Sequence, residues 1–126
     1  MTKFSPIGFF DSGLGGLCIR DAVKELCPSE KTVYIADSVN CPYGKKSIES
    51  IREFSRSHTR KLLDTYKCKM IVIACNTATA AAINVMRDEH PDIPFIGLEP
   101  ALKPAAISSK TGKIGVLATA GTFSGA

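Results

Sequence analysis

The sequence predicts an α/β fold, a mostly parallel sheet flanked by helices, and three observations lead to it. Short β-rich runs alternate with helical patterns along the chain, which is the layout of strands joined by crossover helices. A polar loop follows each of those runs. The chain has 126 residues, with 44% hydrophobic and 22% charged side chains, which is the size and composition of one globular domain. A domain of that size buries roughly two thirds of its unfolded surface.

The elements follow in order. The first strand is "PIGFF" at 6–10, and a helix is expected near 16–26, closed by Pro28. "TVYIAD" at 32–37 is the second strand. The next helix covers 47–66, where Ile48, Ile51, Phe54, Leu62 and Leu63 recur at helical spacing and Ser47 caps the start. "KMIVIA" at 69–74 is the third strand, followed by a helix over 78–89 that Pro91 closes. "IPFIGL" at 93–98 is the fourth strand, a short helix covers 101–108, and "KIGVLA" at 113–118 is the fifth strand. No repeat, low-complexity stretch or linker interrupts the pattern.

Several function classes are excluded early. A net charge of +4 comes from 16 basic and 12 acidic residues with no run of five like charges, a solvated surface that weighs against nucleic-acid binding. The apolar stretch in "MTKFSPIGFFDSG" is too short for a signal-peptide core, and no apolar run reaches membrane-span length. A cytoplasmic protein without a membrane partner is expected. Five cysteines form no C-x-x-C pair, which argues against a disulfide framework and a zinc site, so reduced thiols and no metal are expected.

In a parallel sheet the loops after the strands share one rim, at the carboxyl ends where open α/β sheets place ligands. Here they read "DSGLGG", "DSVNCPYG", "CNT", "EPA" and "TAGT". Cys75 stands between a strand and a helix that starts Asn76, Thr77, Ala78, where free N–H groups and the helix dipole favour a thiolate. It is a candidate base or nucleophile. Position alone supports a small buried cysteine beside a capping Thr77 equally well; the neighbouring polar loops tip the balance toward function.

Asp11 and Ser12 open a loop whose Gly13, Gly15 and Gly16 permit tight turning and leave N–H groups for an anion. Cys18 stands where the last glycine of a dinucleotide fingerprint would be, so that fingerprint is not supported. Asp11 either holds a ligand ammonium or a thiol, or it is a turn aspartate capping the next helix. Pro42 and Gly44 set a turn around Tyr43 that points its hydroxyl toward the rim. His58 and His90 read as structural, and no histidine is placed beside Cys75, so proton transfer is as plausible a role as covalent attack. Cys41 reads as incidental, and Cys18, Cys27 and Cys68 as packing or surface residues.

Taken together and in order, "FFDSGLGGL", "DSVNCPYG", "IACNTATA", "GLEPALKPA" and "IGVLATAGT" resemble the glutamate racemases of the aspartate/glutamate racemase superfamily. The resemblance implies a cofactor-independent enzyme that interconverts L- and D-glutamate between two cysteines and supplies D-glutamate for peptidoglycan. By the match, Cys75 is one catalytic cysteine and Asp11 assists it. Asp11, Ser12, Pro42, Tyr43, Gly44, Asn76, Thr77, Thr119 and Thr122 form the substrate site. Family members are about twice as long, with a second cysteine in a Cys-Thr-His motif of a second domain. Residues 1–126 are therefore expected to be the N-terminal domain of a two-domain fold, inactive alone, and homodimerisation is an implied option. The competing readings are a racemase for aspartate or another amino acid, a non-catalytic anion-binding domain, and, least favoured, a thiol hydrolase.

Overall fold

The computed structural model describes residues 2–124. Among them, four parallel strands form one sheet: β1 (Ile7–Asp11), β2 (Thr32–Ala36), β3 (Met70–Ile73) and β4 (Phe95–Gly97), in the order β2-β1-β3-β4. The helices are α1 (Leu17–Leu26), α2 (Ile48–Arg60), α3 (Asn76–Glu89), α4 (Leu102–Ser108) and α5 (Ala120–Ser124). A single 3₁₀ turn covers Tyr43–Lys45, and α2 passes into a π turn at Lys61–Thr65. The α/β expectation holds.

The central strand explains the two-layer burial. All five residues of β1 are buried, as expected of a parallel strand covered on both faces. Successive side chains point to opposite faces, so Phe9 and Phe10 serve different layers. Phe9 joins Ile7 and Val72 in a cluster with Ile19 and Val23 of α1. Phe10 joins Ile71, Ile73 and Phe95 in a larger cluster with Ile51 of α2 and Ala78, Ala82 and Met86 of α3. Ser47 caps α2 as expected, its hydroxyl accepting from the Ser50 N–H at 3.1 Å.

One expected element is absent. Among the described residues, 113–118 form no strand: the segment runs in irregular backbone to α5, which the sequence reading did not anticipate. Its composition is that of a β-rich run, but such a run becomes a strand only where a sheet edge lies alongside. Here Leu117 is fully exposed, and a Cβ built on Gly115 would meet nothing within 4 Å.

The order β2-β1-β3-β4 carries the chain outward from β1 first to one side and then to the other. The point of reversal lies between β1 and β3, and open α/β sheets bind ligands at that switch point. Gly16, at the start of α1, packs directly onto the end of β3. A Cβ there would lie 2.5 Å from Ala74 Cβ and 2.9 Å from the Ala74 carbonyl oxygen, and backbone cannot yield as a flexible side chain can. Gly16→Ala is expected to destabilise the fold by about 1–3 kcal/mol, whereas Gly115→Ala stays within about 0.5 kcal/mol. Urea denaturation of the two variants reads the difference; equal midpoints would refute the close-packing account.

Candidate active site

The register of β1 on β3 assembles the site. Phe10 pairs with Ile73, and the Ala74 N–H donates to the Phe10 carbonyl at 2.8 Å, so the two chains leave the sheet side by side. Asp11 and Ser12 continue one, Ala74 and Cys75 the other. The Cys75 thiol donates to Ser12 Oγ at 3.6 Å, and the Ser12 hydroxyl donates to Asp11 Oδ1 at 3.4 Å. A thiol, a hydroxyl and a carboxylate therefore form a short chain across the switch point.

Each member is held by the local fold. Cys75 is itself the N-cap of α3, its sulfur accepting from the Ala78 N–H at 3.4 Å, so the cap that the sequence allowed Thr77 is supplied by the cysteine. Asn76 and Thr77 occupy the first turn, where N–H groups lack intrahelical acceptors and the dipole favours negative charge. Asp11 is only 5% exposed, and its Oδ2 accepts from the Gly16 N–H at 2.8 Å and the Tyr34 hydroxyl at 3.3 Å. Asp11 thus lines the cavity and also anchors the glycine loop through the Gly16 N–H. The Gly16 N–H is committed to that carboxylate, which differs from the expectation that the loop's N–H groups stay free for a ligand. Burial, then the neighbouring Asp11 charge, pushes the Tyr34 phenol well above its ordinary range, so Tyr34 remains a donor.

These groups face a cavity of about 690 Å³ lined by Asp11, Ser12, Cys75, Asn76, Thr77, Thr119 and Thr122 among others. Its far wall is a threonine cluster. Thr77 Oγ1 lies 2.9 Å from Thr119 Oγ1 and 3.4 Å from Thr122 Oγ1, and the last two are 3.0 Å apart. Seven of the expected site residues therefore share one cavity. Cys18 and Cys41 line it too. For these two the sequence offered no signal beyond their presence near the rim loops.

The Asn40–Gly44 loop departs from expectation. Tyr43 is 1% exposed, and its hydroxyl turns inward to donate to Asp37 Oδ2 at 2.6 Å instead of facing the rim. Tyr43 and Gly44 line a smaller cavity of about 200 Å³ that shares Thr77 with the main one, and Pro42 stands between Tyr43 and the cavity-lining Cys41. His58 is structural, as expected, but its role is specific: Nε2 sits 2.9 Å from Asp37 Oδ2, and Asn40 donates to both carboxylate oxygens at 3.0 and 3.1 Å. Burial works against ionisation of Asp37, yet the hydrogen bonds from Tyr43, His58 and Asn40 outweigh it and hold the carboxyl below its usual range.

The family model described as Asp/Glu/hydantoin racemase matches residues 17–126. The chain is similar to the glutamate racemase of Ectopseudomonas mendocina (strain ymp), 48% identical over 122 residues, which are 97% of this chain and 46% of that protein. It is similar to the glutamate racemase of Clostridium novyi (strain NT), 51% identical over 120 residues, 94% of this chain and 45% of that protein. Among solved structures, that of Escherichia coli glutamate racemase in complex with L-glutamate and the activator UDP-MurNAc-ala superposes with a TM-score of 0.87 at 38% identity. That match covers 94% of this chain and 45% of the other. The chain spans about half the length of the curated relatives it matches.

The Asp37 carboxylate gives a pH-dependent expectation. Its folded pKa is depressed, so its stabilisation is present above the unfolded value of about 3.9 and is lost as pH falls through the folded value. Asp37→Asn is expected to cost about 1–3 kcal/mol at pH 7, with the gap to the wild type closing below about pH 4. Denaturation at a series of pH values checks it, and a gap unchanged down to pH 3 would contradict the assignment.

Proposed function

The chain belongs to the Asp/Glu/hydantoin racemase family, and from that premise we propose that its 126 residues form one domain of a glutamate racemase interconverting L- and D-glutamate without a cofactor. The observation that carries the reading is the Cys75–Ser12–Asp11 chain at the start of a 14-residue helix, facing a cavity with a wall of hydroxyls.

Cys75 acts as one acid/base residue. In its thiolate form it takes the α-proton from one face of the substrate, and the C–H electron pair stays on the α-carbon. A proton delivered to the opposite face completes the inversion. Its donor is a second thiol contributed by the remainder of a full-length racemase, so the 126 residues alone do not turn over.

A zwitterion needs partners of both signs. Asp11 assists the thiol through Ser12 and offers negative charge to the ammonium. Asn76, Thr77, Thr119 and Thr122 offer donors to carboxylate oxygens and to the charge developing in the transition state. Pro42, Tyr43 and Gly44 complete the substrate set through the loop backbone, since the Tyr43 hydroxyl is engaged with Asp37. The activity supplies D-glutamate for peptidoglycan in the cytoplasm, by an enzyme that can pair as a homodimer. No helix among the described residues is long and apolar enough to cross a membrane.

The test is α-proton exchange of D- and L-glutamate in deuterium oxide, using the longest natural chain that contains these residues, its Cys75→Ala variant and the 126-residue chain. The expected result is exchange by the long chain, reduced at least about 100-fold by Cys75→Ala, and none by the 126 residues. Exchange at an unchanged rate in Cys75→Ala would sink the role of Cys75, and exchange of aspartate alone would move the substrate.

A further inference from the structure

The buried node around Asp37 lies outside the proposed proton-transfer chain, yet it connects physically to the cavity wall. The Asp37 N–H donates to the Asp11 carbonyl at 2.9 Å, which sets the carboxylate at the sheet edge beside the site. Its Oδ2 receives the Tyr43 hydroxyl at 2.6 Å, and the Tyr43 ring packs on Phe54 with centroids 5.5 Å apart. Gly44 follows Tyr43 directly. A Cβ on Gly44 would lie 2.9 Å from Thr119 Cγ2 and 3.2 Å from Thr119 Cβ, so the backbone of this residue is the surface on which Thr119 rests. Thr119 in turn bonds Thr77 and Thr122 through its hydroxyl.

We propose that Asp37 and Tyr43 are positioning residues for the threonine cluster: the carboxylate fixes the Tyr43 hydroxyl, Gly44 then seats Thr119, and Thr119 aligns Thr77 and Thr122 on the cavity wall. Densely packed contacts of this kind transmit displacement because they have little room to absorb it. The cluster's value to a substrate carboxylate rests on the racemase reading; the mechanical coupling does not.

The experiment uses the 126-residue chain with methyl-labelled threonines, observed by NMR. Tyr43→Phe keeps the ring and removes the hydroxyl. The expected result is displaced Thr119 and Thr122 methyl signals and at least tenfold faster amide exchange at Gly44, with the exposed Thr111 unmoved. Asp37→Ala reproduces those shifts, and Asp37→Asn, which keeps an oxygen to accept from Tyr43, moves them less. A folded Tyr43→Phe that is less stable yet leaves Thr119 in place would overturn the proposal, because that is the result of a purely structural role. If Tyr43→Phe does not fold, Gly44→Ala tests the same contact from the other end: it displaces the Thr119 signal and through it Thr77, and a folded variant without that displacement overturns the proposal. The glutamate reading is tested separately by the exchange experiment: coupling observed here while the long chain exchanges no glutamate supports the positioning role and counts against the glutamate reading alone.

Discussion

The site depends on one pairing, β1 against β3 in parallel. Their register sets Phe10 opposite Ile73, and it brings Ser12 within hydrogen-bond reach of Cys75 across 63 residues of sequence. Shifting the register by one residue would turn the Phe9/Phe10 alternation inside out and break both hydrophobic layers at once. The cores on either face of the sheet therefore fix the distance between the thiol and the hydroxyl. Packing and chemistry are here one constraint.

Around that pairing, polar groups are spent in two different ways. Asp11 and Cys75 combine anchoring with exposure to the cavity: the carboxylate holds Gly16 and Tyr34 while facing Ser12, and the thiol caps a helix while lining the wall. Asp37 is different. All its partners are inside the protein, and a buried carboxylate so fully bonded rigidifies what it touches. Its position next to the Asp11 backbone makes the second network a support for the first. On the proposed reading a catalytic group must be held on one face of the substrate, and a thiol that doubles as the cap of α3 is fixed in place by the helix it starts.

Much of this was legible in the sequence for local reasons. Strand and helix periods, the Ser47 cap and the strand-to-helix turn at Cys75 each follow from windows of a few residues, and the structure returns all three. Other features were not legible. The inward turn of Tyr43 and the partner of His58 depend on Asp37, which lies 6 residues from one and 21 from the other. "KIGVLA" carries a strand's composition, but a strand exists only where a neighbour offers its backbone, and no periodicity reports that.

By itself, then, the sequence determined that this is an α/β chain whose polar loops gather at one rim, with Cys75 at a helix start among them. Local propensity and apolar period encode those facts. Only the tertiary structure decided that Cys75 meets Ser12 and through it Asp11, that Thr77 meets Thr119 and Thr122, 42 and 45 residues away, at the opposite wall, and that 113–118 pairs with no strand among the described residues. Those contacts are products of strand order and register, which arise from the whole chain's packing and from no stretch of it alone.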